Sequence, residues 1–405
     1  MASAIFADLA KRFSLEGIDI DTWVFKFYSR ATVGIFMVAV AASVADAYGG
    51  GKTIECEGAS SYETNYCWLT GVQHLKPGDI TKNIHNNHDC FDVDDVGDER
   101  MSNYYLWVSL VLFLCGAVFI IPNEIWKHME GGLLKQFGTD QSDFLKEENG
   151  KNAAKRFKEI TNNHANRYFF TFLTFEVVYF ILGIVVFNLL DVFIGGKFIT
   201  YGLDTISYLK GETAPVEISD DGKTYELTVN PMCNAFPTIV SCSISKFAVV
   251  KDIADTKNVI CILGQNIMNQ KIFLVLWVWF VILFSVSACQ VIYRITTIFV
   301  PGFQASMIQQ HLRTSDKKAV EKLPLGLNYI GNWFLLTQIG SNSDPYAFRM
   351  FLDHVAGIKR KDDDESIAKQ KAKKKKTKSD DIAMLDLAEN GTEKHDLEKG
   401  EKEKF

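Results

Sequence analysis

MSNYYLWVSLVLFLCGAVFIIPN, Met101 to Asn123, has no charged side chain across 23 residues and is closed by Arg100 before it and Glu124 after it. A second run, IFLVLWVWFVILFSVSACQVIY from Ile272 to Tyr293, is uncharged over 22 residues between Lys271 and Arg294. At a rise of about 1.5 Å per residue, each crosses the roughly 30 Å of hydrocarbon in a bilayer. Within that hydrocarbon every backbone polar group needs an internal partner, so both are read as helices.

Two more spans emerge on either side of these anchors. Ala31 to Ala45 is uncharged and ends at Asp46, and its N-terminal extension takes in Lys26 and Arg30. Those two cations lie four apart on one helix face, placed to snorkel to headgroups or to face a watery lumen. The stretch from Tyr168 to Ile194 is rich in Phe, Val, Ile and Leu but contains Glu176 and Asp191. The predicted fold is an all-α membrane protein with four transmembrane helices, a short N-terminal helix, disulfide-stapled outer loops and a helical cytoplasmic domain. The N-terminal amphipathic helix takes residues 1–22, carrying Ile5, Phe6, Leu9 and Phe13 at helical spacing. The spans take 23–48, 104–126, 168–196 and 271–294, separated by segments 49–103, 127–167 and 197–270. A packed helical domain follows over 295–358, then a charged tail over 359–405.

Charge and cysteine agree on orientation. The connector Lys127–Arg167 holds eight Lys/Arg, whereas Gly49–Asn103 holds four against ten Asp/Glu. The positive-inside rule therefore puts the connector and both termini in the cytoplasm and the other two loops outside. Lys11 and Arg12 are not followed by the apolar core of a cleavable signal. Of eight cysteines, Cys115 and Cys289 lie in spans, Cys56, Cys67 and Cys90 in the first outer loop, and Cys233, Cys242 and Cys261 in the second. Six cysteines in oxidising territory read as three disulfides, with fifteen pairings open. If all six pair, an odd number per loop requires at least one bridge between the loops. His85, His88, Asp89 and Cys90 are metal-ligand types at close spacing, but they lack a paired Cys-x-x-Cys and read as a polar loop.

Catalytic signatures are missing from the sequence. Asp46 to Thr53 ends in Gly-Lys-Thr but has Asp46 where a phosphate-binding loop needs glycine, and no strand precedes it. No nucleophile–base arrangement stands out, so no enzyme, cofactor or metal is expected. Net charge is −6, and the last 46 residues balance 13 Lys/Arg against 13 Asp/Glu. The cluster Lys373–Lys376 resembles a nuclear-localisation or lipid-binding cluster, but in such a tail a solvated charge run is the preferred reading, and no nucleic-acid partner is expected. The sequon at Asn390 falls in that tail, on the cytoplasmic side. Glu176 and Asp191, as intramembrane ionisable groups, suggest either a proton relay or, preferably, helix–helix hydrogen bonding and placement near the membrane surfaces.

Several blocks, in order, are similar to the innexins, the gap-junction proteins of invertebrates. They are Cys56 with Tyr66-Cys67-Trp68; Tyr104-Tyr105-Leu106-Trp107-Val108; Pro122 with Ile125-Trp126-Lys127; Glu176; Asp191 through Phe198 with Tyr201-Gly202; Phe236-Pro237 with Cys242; Cys261 through Trp279; and Ile330-Gly331-Asn332-Trp333-Phe334. Leu106, Ser109 and Asn332 depart from the family's Gln, Pro and Asp, and Cys90 and Cys233 are additional. The resemblance implies a ring of eight identical or related subunits in membrane lipid, docked to a ring of the apposed cell, passing ions and small solutes. It implies bridges Cys56–Cys261 and Cys67–Cys242, with Cys90–Cys233 as the extra one. It also places Phe6, Asp8, Lys11, Arg12, Lys26 and Arg30 at the inner pore mouth and Asp46 and Glu55 at the outer one. The rivals are an unpaired large-pore channel and a four-span adhesion or scaffold protein. The Cys-Cys-Gly run of tetraspanins and the Trp-Gly-Leu-Trp block of claudins are both missing.

Overall fold

The structure is a computed structural model and describes residues 20–48, 53–73, 102–137, 147–212, 216–220, 223–227, 230–247, 254–312 and 318–358. Among the described residues, four helical segments are long and apolar enough to cross a membrane: Trp23–Ala45, Val108–Glu130, Ala165–Phe193 and Gly264–Phe299. The chain divides into two compact units, Met1–Gly132 with Phe170–Thr297, and Leu133–Phe169 with Ile298–Phe405.

In the first unit each span has a local reason for its shape. The first opens on Thr22, whose hydroxyl accepts the Phe25 N–H, and passes through a π-helical turn at Phe27–Thr32. There Thr32 Oγ1 donates back to the Phe27 carbonyl, and Ser29 Oγ to that of Phe25. The second is two helices, Val108–Val118 and Ile121–Glu130, because Pro122 cannot donate into a continuous ladder. At that break the Tyr179 hydroxyl of the third span donates to the Phe119 carbonyl at 3.2 Å. The fourth runs further at both ends than the 271–294 read from charge boundaries: Gln265, Asn266 and Asn269 before it and Thr297 after it are polar but buried, and Arg294 is buried instead of marking the end. Phe273, Leu276, Phe280 and Leu283 recur on one face of it, fully enclosed.

The third helix stops at Phe193, short of the expected 196. Gly195 and Gly196 both take positive φ (74° and 81°), and the Gly196 N–H returns to the Asp191 carbonyl at 2.8 Å. This is a left-handed helix stop that only glycine adopts without strain. A new helix, Phe198–Leu209, starts at once.

The segments between spans are more ordered than a loop reading implies. They contain strands β1 (Glu55–Cys56), β2 (Val216–Asp220), β3 (Lys223–Leu227), β4 (Ile239–Phe247) and β5 (Ala254–Ile262). β2 and β3 form a hairpin, while β1, β5 and β4 make a three-stranded antiparallel sheet in that order. The spans themselves are wholly helical.

The second unit is a small helical domain, as the aromatics of 295–358 suggested. Helices Glu147–Asn163, Pro301–Leu312, Ile330–Ser341 and Pro345–Ala356 enclose Phe157, Trp333, Phe334, Leu335, Phe348 and Phe351. Its tightest point is Gly331, where an added Cβ would overlap the backbone of Ala165 and Asn166. Asn166 closes the contact, accepting the Gly331 N–H at 2.9 Å and donating to the Asn328 carbonyl at 2.8 Å. Backbone cannot move aside as a flexible side chain would. Gly331→Ala is therefore expected to cost about 2–3 kcal/mol through overpacking, read as a lowered melting temperature of the purified protein.

Candidate functional site: a stapled platform and a buried ion pair

The sheet of the first unit is assembled around sulfur. β1 meets β5 with Cys56 directly opposite Cys261, and those two form one disulfide. Cys67, on the helix Ser61–Thr70, forms the second with Cys242 of β4. Ser60 and Glu63 cap that helix reciprocally, fixing where it begins. Around the bridges lie Ile54, Val72, Tyr105, Val240, Ile244, Val259 and Leu263, all buried. The sulfurs of Cys56, Cys67 and Cys261 lie within 4.8 Å of one another. With these cysteines oxidised, that cluster offers a metal no thiolate. Cys233 is buried and disulfide-bonded. Cys90, its expected partner, and His85, His88 and Asp89 lie outside the described residues.

Residues next to the spans tie this platform down. The Tyr105 hydroxyl donates to the Trp68 carbonyl at 3.0 Å, and the two rings pack at a 33° tilt with centroids 4.6 Å apart. Tyr104 receives the Asn266 side-chain amide at 2.7 Å, and the same amide donates to the Pro237 carbonyl at 2.7 Å. One turn on, Gln270 Nε2 donates to the Phe236 carbonyl at 3.0 Å, and the Gln270 carbonyl accepts from the Tyr201 hydroxyl. Burial raises the Tyr201 pKa, so the hydroxyl stays a donor. Tyr104-Tyr105, Phe236-Pro237, Asn266 and Tyr201 are far apart in sequence and form one hydrogen-bonded collar in space. Asn266 is wholly enclosed and serves two acceptors. Asn266→Ala strands both acceptors, with an expected loss of about 2–3 kcal/mol. Protease resistance of the segments between the spans is the readout.

Two departures from the innexin pattern also find contacts. Leu106 packs against the apolar cluster, and Ser109 shares a hydrogen bond with Ser43 of the first span.

The intramembrane acids have separate roles. Asp191 Oδ1 accepts the N–H groups of Phe198 and Ile199 at 2.8 and 3.0 Å, capping the helix after the glycine turn. Glu176 is gripped by Arg294 in a two-point pair (Nε to Oε2 2.8 Å, Nη2 to Oε1 2.6 Å) and by Gln290 Nε2 at 2.9 Å. Both side chains of the pair are under 10% exposed, and the guanidinium stacks on the Phe172 ring at 5.7 Å. By charge and composition alone, Arg294 marks a span boundary and Gln290 is one more residue inside the span. The signal was legible: Ser287, Gln290, Arg294 and Thr297 form a polar stripe at helical spacing, all of it buried.

The expected pore residues are only partly visible. Lys26 and Arg30 are half-buried on the first span, with Arg30 in its π-helical turn, and Glu55 is exposed on β1. Phe6, Asp8, Lys11 and Arg12 lie outside the described residues, as does the side chain of Asp46.

The innexin family profile matches residues 21–358. The chain belongs to the innexin family. Innexin inx2 of Drosophila melanogaster is 28% identical over 370 residues, covering 87% of this chain and 95% of that one. Innexin inx2 of Schistocerca americana is 28% identical over 362 residues, covering 87% and 97%. Innexin shaking-B of Drosophila melanogaster is 26% identical over 369, covering 87% and 94%. The match includes every element of the collar and both bridges, and ends as the charged tail begins. The departures at Leu106 and Ser109 thus sit inside an innexin framework.

Proposed function

We propose that this innexin is the subunit of a gap-junction channel, passing ions and small solutes between contacting cells without a chemical step. The observation that carries the reading is the stapled platform on the spans of an innexin chain. Two disulfides and a shared apolar core hold segments from both loops in one rigid body, which suits a surface that must dock to a copy of itself. Like subunits ring the pore, eight in number, embedded in lipid, with a second ring supplied by the apposed cell. Both termini and the 127–167 connector lie in the cytoplasm, supported by the eight Lys/Arg of that connector. Phe6 lines the pore, and selectivity comes from pore width and from charge at the mouths: Asp8, Lys11, Arg12, Lys26 and Arg30 inside, Asp46 and Glu55 outside.

Cys90 closes the third bridge with Cys233. Four of the other cysteines pair with one another, and Cys115 and Cys289 are free. Cys233 is itself disulfide-bonded, which supports Cys90 as its partner.

Dual voltage clamp of paired cells expressing only this chain is the test. Junctional conductance is expected. Current in single cells with no coupling in pairs would instead assign the unpaired-channel reading, and neither current from surface-expressed protein would remove the channel altogether.

A further inference from the structure

The helix Phe198–Leu209 has two apolar flanks, and only one is covered. Phe198, Tyr201, Gly202 and Thr205 face inward and are buried. Ile199, Leu203 and Ile206, spaced by four and three, form a neighbouring stripe that is 48%, 60% and 45% exposed. Thr200 and Asp204 are exposed farther round, on a polar face.

The helix is held where a membrane-crossing segment ends. It starts five residues past Phe193, across the Gly195–Gly196 turn, with Asp191 capping its first N–H groups. Trp277 of the fourth span donates its indole N–H to the Ile199 carbonyl at 3.0 Å. Gly202 lies so close on the same indole that a Cβ would overlap it. Tryptophan and tyrosine concentrate at the membrane–water boundary, and Trp277 and Tyr201 both clamp this helix. The exposed Val185, Leu189 and Val192 of the third span run up to the same end. An apolar stripe there continues the exposed apolar surface of a membrane-crossing helix. Lys210, beside the stripe and exposed, reaches headgroup phosphate as interfacial lysines do.

We propose that Phe198–Leu209 lies in the headgroup–acyl boundary of the bilayer, with Ile199, Leu203 and Ile206 buried in lipid. The occupant of the stripe is the bilayer, because it continues the exposed apolar side chains of a membrane-crossing helix and the helix has the covered flank, polar face and apolar stripe of an interfacial segment. The platform above is then moored to the membrane plane as well as to the spans. The inference rests on the four-span architecture and not on the channel reading.

Nitroxide labels on the full-length assembled protein in phospholipid nanodiscs test it. Single cysteines are placed at Thr200, Leu203, Asp204 and Ile206 in a Cys289→Ala background, with assembly checked by size exclusion. Labels at 203 and 206 are expected to relax faster with oxygen than with a water-soluble nickel chelate, and those at 200 and 204 the reverse. Preference for nickel at 203 and 206 would put the stripe in water and overturn the proposal. Low accessibility to both reagents with dipolar broadening would do the same, by showing a neighbouring copy on the stripe.

Discussion

Arg294→Ala should be the most damaging single substitution within the spans. It leaves the Glu176 carboxylate enclosed, with Gln290 as its remaining hydrogen-bond donor among the described residues. Removing one member of a buried pair costs about 3–5 kcal/mol, because the charge left behind has neither water nor counter-ion. The reciprocal change should be milder. Arg294 has a long stem close to its helix end, so on Glu176→Ala it can extend toward the headgroups, whereas a glutamate's short side chain cannot. Replacing both with Met should recover most of the loss, since a well-packed apolar pair of similar volume is often neutral. Thermal unfolding of the four proteins in detergent measures the cycle. Additive losses in the double variant would mean that the two residues do not act as a pair.

The second large effect concerns the bridges, and here the double replacement is expected to be gentler than the single one. With Cys67–Cys242 intact, removing both Cys56 and Cys261 reopens only an effective loop of about 30 residues, worth about 3.5 kcal/mol in the chain-entropy account. Cys261→Ser alone adds a chemical problem. It frees the Cys56 thiol within 4.8 Å of the Cys67 sulfur. The Cys56 thiolate can then attack that sulfur, forming Cys56–Cys67 and releasing the Cys242 thiolate. β4 loses its covalent tie to the Ser61–Thr70 helix by this exchange. Junctional conductance should therefore fall further in Cys261→Ser than in the Cys56→Ser/Cys261→Ser pair. Mass spectrometry of non-reduced peptides should find the exchanged bridge; its absence in the single variant would sink the exchange argument.

Much of this innexin was legible before any coordinates. Uncharged runs of 22 and 23 residues fix two spans by length alone, because no other element satisfies its own backbone in hydrocarbon. The stops at Pro122 and at Gly195–Gly196 are also local properties of the chain (a missing N–H and φ > 0), although the spans read as 104–126 and 168–196 run through both. Segregation of cysteine from the Lys/Arg-rich 127–167 connector is likewise a fact of composition.

Partners were a different matter. Nothing in the local sequence around Glu176 names Arg294, 118 residues away, and a charge at the end of an apolar run reads equally as a boundary. Nor does any spacing show that Asn266 reaches both Tyr104 and Pro237, or that Cys56 stands opposite Cys261 in a sheet. Those depend on which helix faces meet, and that is set by the packing of the whole unit around side chains such as Phe280 and Tyr179. Sequence determined what must cross the membrane and where it must break; the tertiary structure decided which buried polar groups satisfy one another, because a hydrogen bond or ion pair between distant segments has no local cause.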